Sequence, residues 1–147
     1  LTQPYILADV NLWLATLLEQ HPHHEVSKRW WLEDVLPNRG RVAFCRVTQL
    51  GVLRLLTNQK VMGPLRKTLL DAWRVYEQLM AQEPIFYANE PDGIDRVLES
   101  YCRLGGSSTK FWTDGYLAAF SSAGGFTMVT LDDDFRRFPG LDVVVLS

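Results

Sequence analysis

The sequence predicts an α/β protein: a three-layer α/β/α fold around a central, mostly parallel five-stranded sheet, closed within a single domain spanning residues 1–147. Short apolar runs alternate with segments of helical periodicity along the whole chain. The segments between the runs are too long for hairpins, which leaves parallel crossovers. Two of the runs also end in an aspartate, the position at which open parallel sheets present groups to a ligand.

The elements follow in order. Residues 4–8 read as a short buried strand, and Leu12, Leu14, Ala15 and Leu18 place a helix over Asn11 to Glu19. After His21-Pro22-His23-His24 a second helix runs from His24 to Leu36, stopped by the turn Pro37-Asn38-Arg39-Gly40. Arg41 to Cys45 is the second strand, and Thr48 is the expected N-cap of the helix bearing Leu50, Val52, Leu53, Leu55 and Leu56. Gly63-Pro64 is expected to open a long amphipathic helix through Leu65, Leu69, Ala72, Tyr76 and Leu79, ended by Pro84. Ile85-Phe86-Tyr87 is a third strand, and Pro91 starts a helix with Ile94, Val97, Leu98 and Tyr101 on one face. The loop Gly105-Gly106-Ser107-Ser108 leads to a helix at 113–122, stopped by Ala123-Gly124-Gly125. Phe126 to Leu131 and Val143 to Leu146 supply the last strands.

No apolar window approaches the roughly 18 residues of a membrane span, and no leader-like segment opens the chain. A cytoplasmic protein without membrane attachment is expected, with Cys45 and Cys102 as two buried, reduced thiols. A net charge of −2 excludes a chain wrapped in nucleic acid, but not a nuclease with local basic patches at Arg46 and Arg54, Lys60, Arg66 and Lys67, or Arg136 and Arg137.

The chemistry rests on three aspartates. Asp9 closes Tyr5-Ile6-Leu7-Ala8, Asp114 opens an apolar helix, and Asp132 follows Thr127-Met128-Val129-Thr130-Leu131. Each alone has a plain structural use, as helix cap, dipole partner or solvated turn. Together they converge on one sheet edge, and converging carboxylates stay ionised only when a cation joins them. A hard metal held by carboxylates points to phosphate chemistry.

Leu7-Ala8-Asp9-Val10-Asn11, the segment Val47 to Thr57, Thr113-Asp114-Gly115-Tyr116-Leu117-Ala118 and Val129-Thr130-Leu131-Asp132 occur in the order found in PIN-domain nucleases. The chain resembles that family over nearly its whole length, and within it the VapC-type toxins of bacterial toxin–antitoxin pairs. The resemblance implies a metal-dependent endoribonuclease with Asp9, Asp114 and Asp132 as catalytic metal ligands for Mg²⁺, with Mn²⁺ as substitute. It further implies cleavage to a 5′-phosphate and a 3′-hydroxyl, structured RNA such as tRNA as substrate, a cognate antitoxin as partner, and a homodimer. The family places a glutamate where this chain has Gln49, which leaves the second metal open or shifts its support to Asp133 or Asp134. Asn11, Thr48 and Thr130 match small polar positions that orient such carboxylates.

Arg46, Lys110 and Trp112 are candidate RNA contacts, through phosphate pairing or base stacking. His21, His23 and His24 read as a solvated helix entry rather than a metal cluster. Trp30 and Trp31 lie about 100° apart on one helix, so core packing of both is set against a partner groove for one. A rival function is a degenerate PIN domain that binds RNA or a protein without cutting. A phosphoacceptor receiver domain is excluded, because no Asp or Glu occurs between Asp34 and Asp71.

Overall fold

The computed structural model describes residues 4–147. Five strands form one sheet in the order β3-β2-β1-β4-β5: β1 (Tyr5–Ala8), β2 (Arg41–Phe44), β3 (Ile85–Tyr87), β4 (Thr127–Thr130) and β5 (Val143–Val145). All four pairings are parallel, with Ile6 opposite Val42 on one side and opposite Thr127 on the other.

Strand alternation sorts the core into two layers. Ile6, Ala8, Val42, Phe44 and Val129 face helices α1 (Val10–Leu17), α2 (His24–Trp30), α3 (Arg46–Leu56), α4 (Gln59–Met62) and α5 (Leu69–Met80). Leu7, Ala43 and Met128 face the opposite way, onto α6 (Ile94–Cys102) and α7 (Phe111–Gly124). The strands are apolar on both faces because both are covered, as parallel sheets require. Trp13 stacks on Phe44 at 4.1 Å between ring centroids, anchoring α1 to the sheet.

Several local expectations change. Thr48 is not the N-cap of α3. Cys45 holds that position, and Thr48, one turn in, accepts the Cys45 N–H at 3.0 Å. The long helix does not open at Gly63-Pro64. Those residues form a 3₁₀ turn after α4, with Gly63 at φ 54°, and α5 starts at Leu69 under a Thr68 cap. Leu65 and Leu69 are therefore exposed, and the buried stripe is Ala72, Tyr76 and Leu79. The second helix loses its α register at Trp31, where a π-helical stretch (Trp31–Val35) closes with Leu36 N–H donating to Trp31 O at 3.1 Å. Trp30 is buried and Trp31 packs half-buried against the same core, so neither indole stands free. Cys45 is buried as expected, but Cys102 is exposed at the end of α6.

Among the described residues no helix is long and apolar enough to cross a membrane. His24 Nδ1 lies 2.8 Å from Ala15 O, while His23 is exposed, in keeping with a helix entry.

Candidate active site

The sheet order puts β1 and β4 side by side although they lie far apart in sequence. Asp9 follows β1 and takes extended backbone angles as the N-cap of α1, where Oδ1 accepts the Leu12 N–H at 3.0 Å. Its other oxygen, Oδ2, accepts the Thr130 hydroxyl at 2.6 Å. Thr130 Oγ1 in turn accepts the Asp132 N–H at 2.9 Å, so one threonine ties the carboxyl ends of β1 and β4 together. Asp132 Oδ1 caps the following 3₁₀ turn (Asp133–Arg137) by accepting the Asp134 N–H at 2.9 Å. Its Oδ2 accepts from Lys110 Nζ at 2.8 Å.

Asp114 enters from α7, one turn inside the helix. It is buried, and its Oδ2 has no hydrogen-bond partner. Lys110 Nζ stands 3.7 Å from that oxygen and Arg137 Nη2 3.6 Å, too far for hydrogen bonds but close enough for coulombic attraction. Lys110 thus spans Asp114 and Asp132, two acids that would otherwise repel.

Burial dominates the electrostatics of the inner acids. It pushes the Asp9 carboxyl up to about 6, against the Thr130 and Leu12 hydrogen bonds, and Asp132 and Asp114 add to the rise. Burial also raises Asp114, with Lys110 and Arg137 opposing. At Asp132 burial pushes upward too, but the bonds from Lys110 and the Asp134 N–H outweigh it and the carboxyl lies below its ordinary value. The Asp132 bond in turn raises the Lys110 ammonium.

The buried Asp114 has an orphaned oxygen that a cation would satisfy, but the expected convergence of three carboxylates on one point is not formed in this structure, where Lys110 stands between Asp114 and Asp132. Among the described residues no three acid, imidazole or thiol side chains stand within ligating reach of one point. Lys110 supplies positive charge between Asp114 and Asp132 in this arrangement.

The remaining candidates divide. Thr130 joins the cluster directly, and Asp134 does so through its backbone N–H. Thr48 spends its hydroxyl on the β2–α3 turn, bonding Cys45 N–H and O. Gln49 is buried with Oε1 accepting from Arg46 Nη1 at 2.5 Å, so the amide oxygen already has a cation of its own. Arg46 lies over the Tyr87 ring at 5.2 Å, beside β3. Asn11 is exposed at the start of α1, beside a groove lined by Leu14, Leu18, Leu55 and Met62, with no hydrogen bond to the acids among the described residues. Trp112 is exposed near Lys110. Arg137 was legible only as part of a basic pair; that it reaches Asp114 depends on the 3₁₀ turn after Asp132.

The PIN domain family model matches residues 6–141. This chain belongs to the PIN-domain family. It is 37% identical over 146 residues to ribonuclease VapC41 of Mycobacterium tuberculosis, covering 97% of this chain and 99% of that protein. Ribonuclease VapC31 of the same species is 26% identical, over 90% of this chain and 92% of its own. Within the PIN-domain family, the chain is of the VapC type. Solved structures share the fold at low identity. VapBC2 from Rickettsia felis, bound to a DNA fragment from its promoter, superposes with TM-score 0.70 at 11% identity, covering 97% of this chain and 99% of the other. The sarcin–ricin-loop-cleaving toxin VapC20 of Mycobacterium tuberculosis gives TM-score 0.63 at 17% identity, over 94% and 98%.

Proposed function

We propose that this PIN-domain protein is the toxin of a toxin–antitoxin pair and hydrolyses RNA phosphodiester bonds at Asp9, Asp114 and Asp132, with Mg²⁺ as cofactor and Mn²⁺ as substitute. The observation that carries the reading is the chain of contacts Asp9–Thr130–Asp132–Lys110–Asp114 at the ends of β1 and β4. Its presence in a chain so similar to a named ribonuclease turns an acidic cluster into a candidate phosphodiesterase.

A bound divalent cation supplies Lewis acidity toward the phosphodiester and its attacking water. The protein's own part is positional and electrostatic. Asp9, Asp114 and Asp132 would hold the cation once drawn together around it; Thr130 already fixes Asp9 and the Asp132 backbone together, so these two acids stay in register. Lys110 and Arg137 offer positive charge to a phosphate that the acids alone would repel. Around the buried Asp9 and Asp114 a charge acts more strongly than it would in water, whereas Lys110 and Arg137 are exposed and their attraction is screened.

Structured RNA such as tRNA is the proposed substrate, and a cognate antitoxin that covers the acids is the proposed partner. That partner is supported by structural neighbours described as VapBC assemblies. A homodimer in the cytoplasm is proposed on the family resemblance.

A binding-only protein is the second reading. It is favoured by Gln49, whose carbonyl is engaged by Arg46 at the position where the family resemblance implies an acid. Cleavage of a labelled tRNA pool with Mg²⁺, Mn²⁺ or EDTA separates the two. The nuclease cuts only with metal, and Asp9→Asn or Asp114→Asn lowers the rate by at least about 100-fold, the scale of losing an electrostatic group aimed at the reacting centre. Folded, antitoxin-free protein that binds the RNA but cuts none of it would establish the binding-only reading.

A further inference from the structure

Beside the acids opens a cavity of about 490 Å³, lined by the 105–110 loop, Trp112, Arg137 and Cys102. That size lies within the roughly 300–1,000 Å³ of sites that take small organic ligands. The cavity is continuous with the acidic cluster, because Lys110 and Arg137 belong to both. Lys110 bonds Asp132, and Arg137 Nη2 lies 3.6 Å from Asp114 Oδ2.

Its walls combine an aromatic plane, two cations and one carboxylate, Asp134. Trp112 is 60% exposed, yet it is braced: Phe111 meets it edge-on at 5.2 Å and itself packs on Phe138. Arg137 is also braced, with its guanidinium 4.6 Å above the Phe138 ring. The rim carries the hydroxyls of Ser107, Ser108 and Thr109. Gly105 and Gly106 take φ 77° and 107° with open space where side chains would stand, so the loop backbone bounds the cavity without filling it. An exposed aromatic plane beside two cations is the combination by which proteins hold an unstacked base next to its phosphate.

We propose that this cavity receives a nucleobase of the RNA strand, flipped out of its stack, from a nucleotide next to the phosphate held at the acids. Trp112 is its stacking platform, and Arg137 and Lys110 take the flanking phosphate. The inference rests on the nuclease reading and narrows its substrate. A base paired in an A-form duplex cannot reach the cavity, so its occupant is an unpaired base.

Two measurements test it. The first uses a cleaved RNA hairpin whose loop residues are made abasic one at a time. One position next to the cut raises KM about 10-fold for the wild type, the scale of a lost base stack. Trp112→Ala raises KM by a similar factor on the intact hairpin, with a much smaller change in kcat, and is indifferent to that abasic residue; Trp112→Phe restores most of the loss. An abasic scan that leaves KM flat, or penalties for Trp112→Ala and the abasic residue that simply multiply, overturns the proposal.

The second measurement needs no cleavage. Cys102 is exposed and lines the cavity, whereas Cys45 is buried, so alkylation by iodoacetamide reports on this pocket. Saturating short single-stranded RNA slows Cys102 alkylation several-fold, while duplex RNA and fully abasic strands do not. If the protein cuts no RNA but this protection is seen, the nuclease reading falls and the base pocket stands. Cutting without protection removes the pocket and leaves the nuclease.

Discussion

Asp9 carries two duties that pull against each other. It caps α1 and braces Thr130, both of which favour a carboxylate, yet burial holds it at about 6, above the ordinary 3.8. In metal-free protein the folded state therefore binds a proton more readily than the unfolded chain. The stability linked to that proton is fully present below 3.8 and is lost as pH rises through about 6. Asn at this position keeps an acceptor for Leu12 and an amide for Thr130, without the charge. In EDTA, Asp9→Asn is expected to unfold at a higher temperature than wild type above about pH 7, by an amount on the order of 1–3 kcal/mol. The two should converge below about pH 4, where both side chains are neutral. A wild type more stable than Asp9→Asn at neutral pH without metal would contradict the burial argument. The opposite ordering is expected in catalysis, where the charge is needed, so one substitution should stabilise the fold and silence the site.

At the scale of elements, close packing between α1 and α3 depends on Gly51. A Cβ there would meet Val10 Cγ2 at 2.5 Å, and valine is too stiff at χ1 to move aside freely. Ala in mid-helix gains about 1 kcal/mol of propensity over Gly, but overpacking of this kind costs about 1–3 kcal/mol. Gly51→Ala is therefore expected to lower the melting temperature, and Val10→Ala in the same chain to recover most of the loss. A Gly51→Ala protein that melts higher than wild type would mean that α1 shifts at little cost. How far the elements were legible follows from the same local physics. All five strands stand where apolar runs were read, because buried parallel strands leave that signature. Thr48 was misplaced because a threonine at the N-cap and one at the third helical position both bond the first turn, and sequence does not say which. The start of α5 was misplaced because Gly-Pro opens many helices, whereas here Gly63 at φ 54° ends a short one and Thr68 caps the next. The acids were readable as strand-end and helix-start residues. Lys110 between them, and Arg137 beside Asp114, arise from loop geometry that no periodicity encodes.

Across the whole molecule, net charge −2 coexists with an edge on which buried acids sit against two cations. Such an edge is costly without a divalent ion, and an ion that binds only the folded state stabilises it by mass action. With Mg²⁺ or Mn²⁺ at about 100-fold over its dissociation constant the gain is about 2.7 kcal/mol, or roughly 5–10 °C for a chain of this size. Asp9→Asn and Asp114→Asn should each remove most of that thermal shift, as read by scanning calorimetry with and without EDTA. A shift retained in both variants would place the ion elsewhere.

The hydrogen bond between Thr130 and Asp9 spans 121 positions of sequence. During synthesis, the first strand with its acid leaves the ribosome long before β4 exists, and β1 cannot complete its side of the sheet until β4 slots in beside it. A polypeptide interrupted between Asp114 and Thr127 thus carries Asp9 and Asp114 but lacks both β4 and Asp132. The proposed site is therefore incomplete in every such chain and closes only when the last 21 residues, Thr127 to Ser147, have been made, which would delay any cleavage inside the cell that translates it.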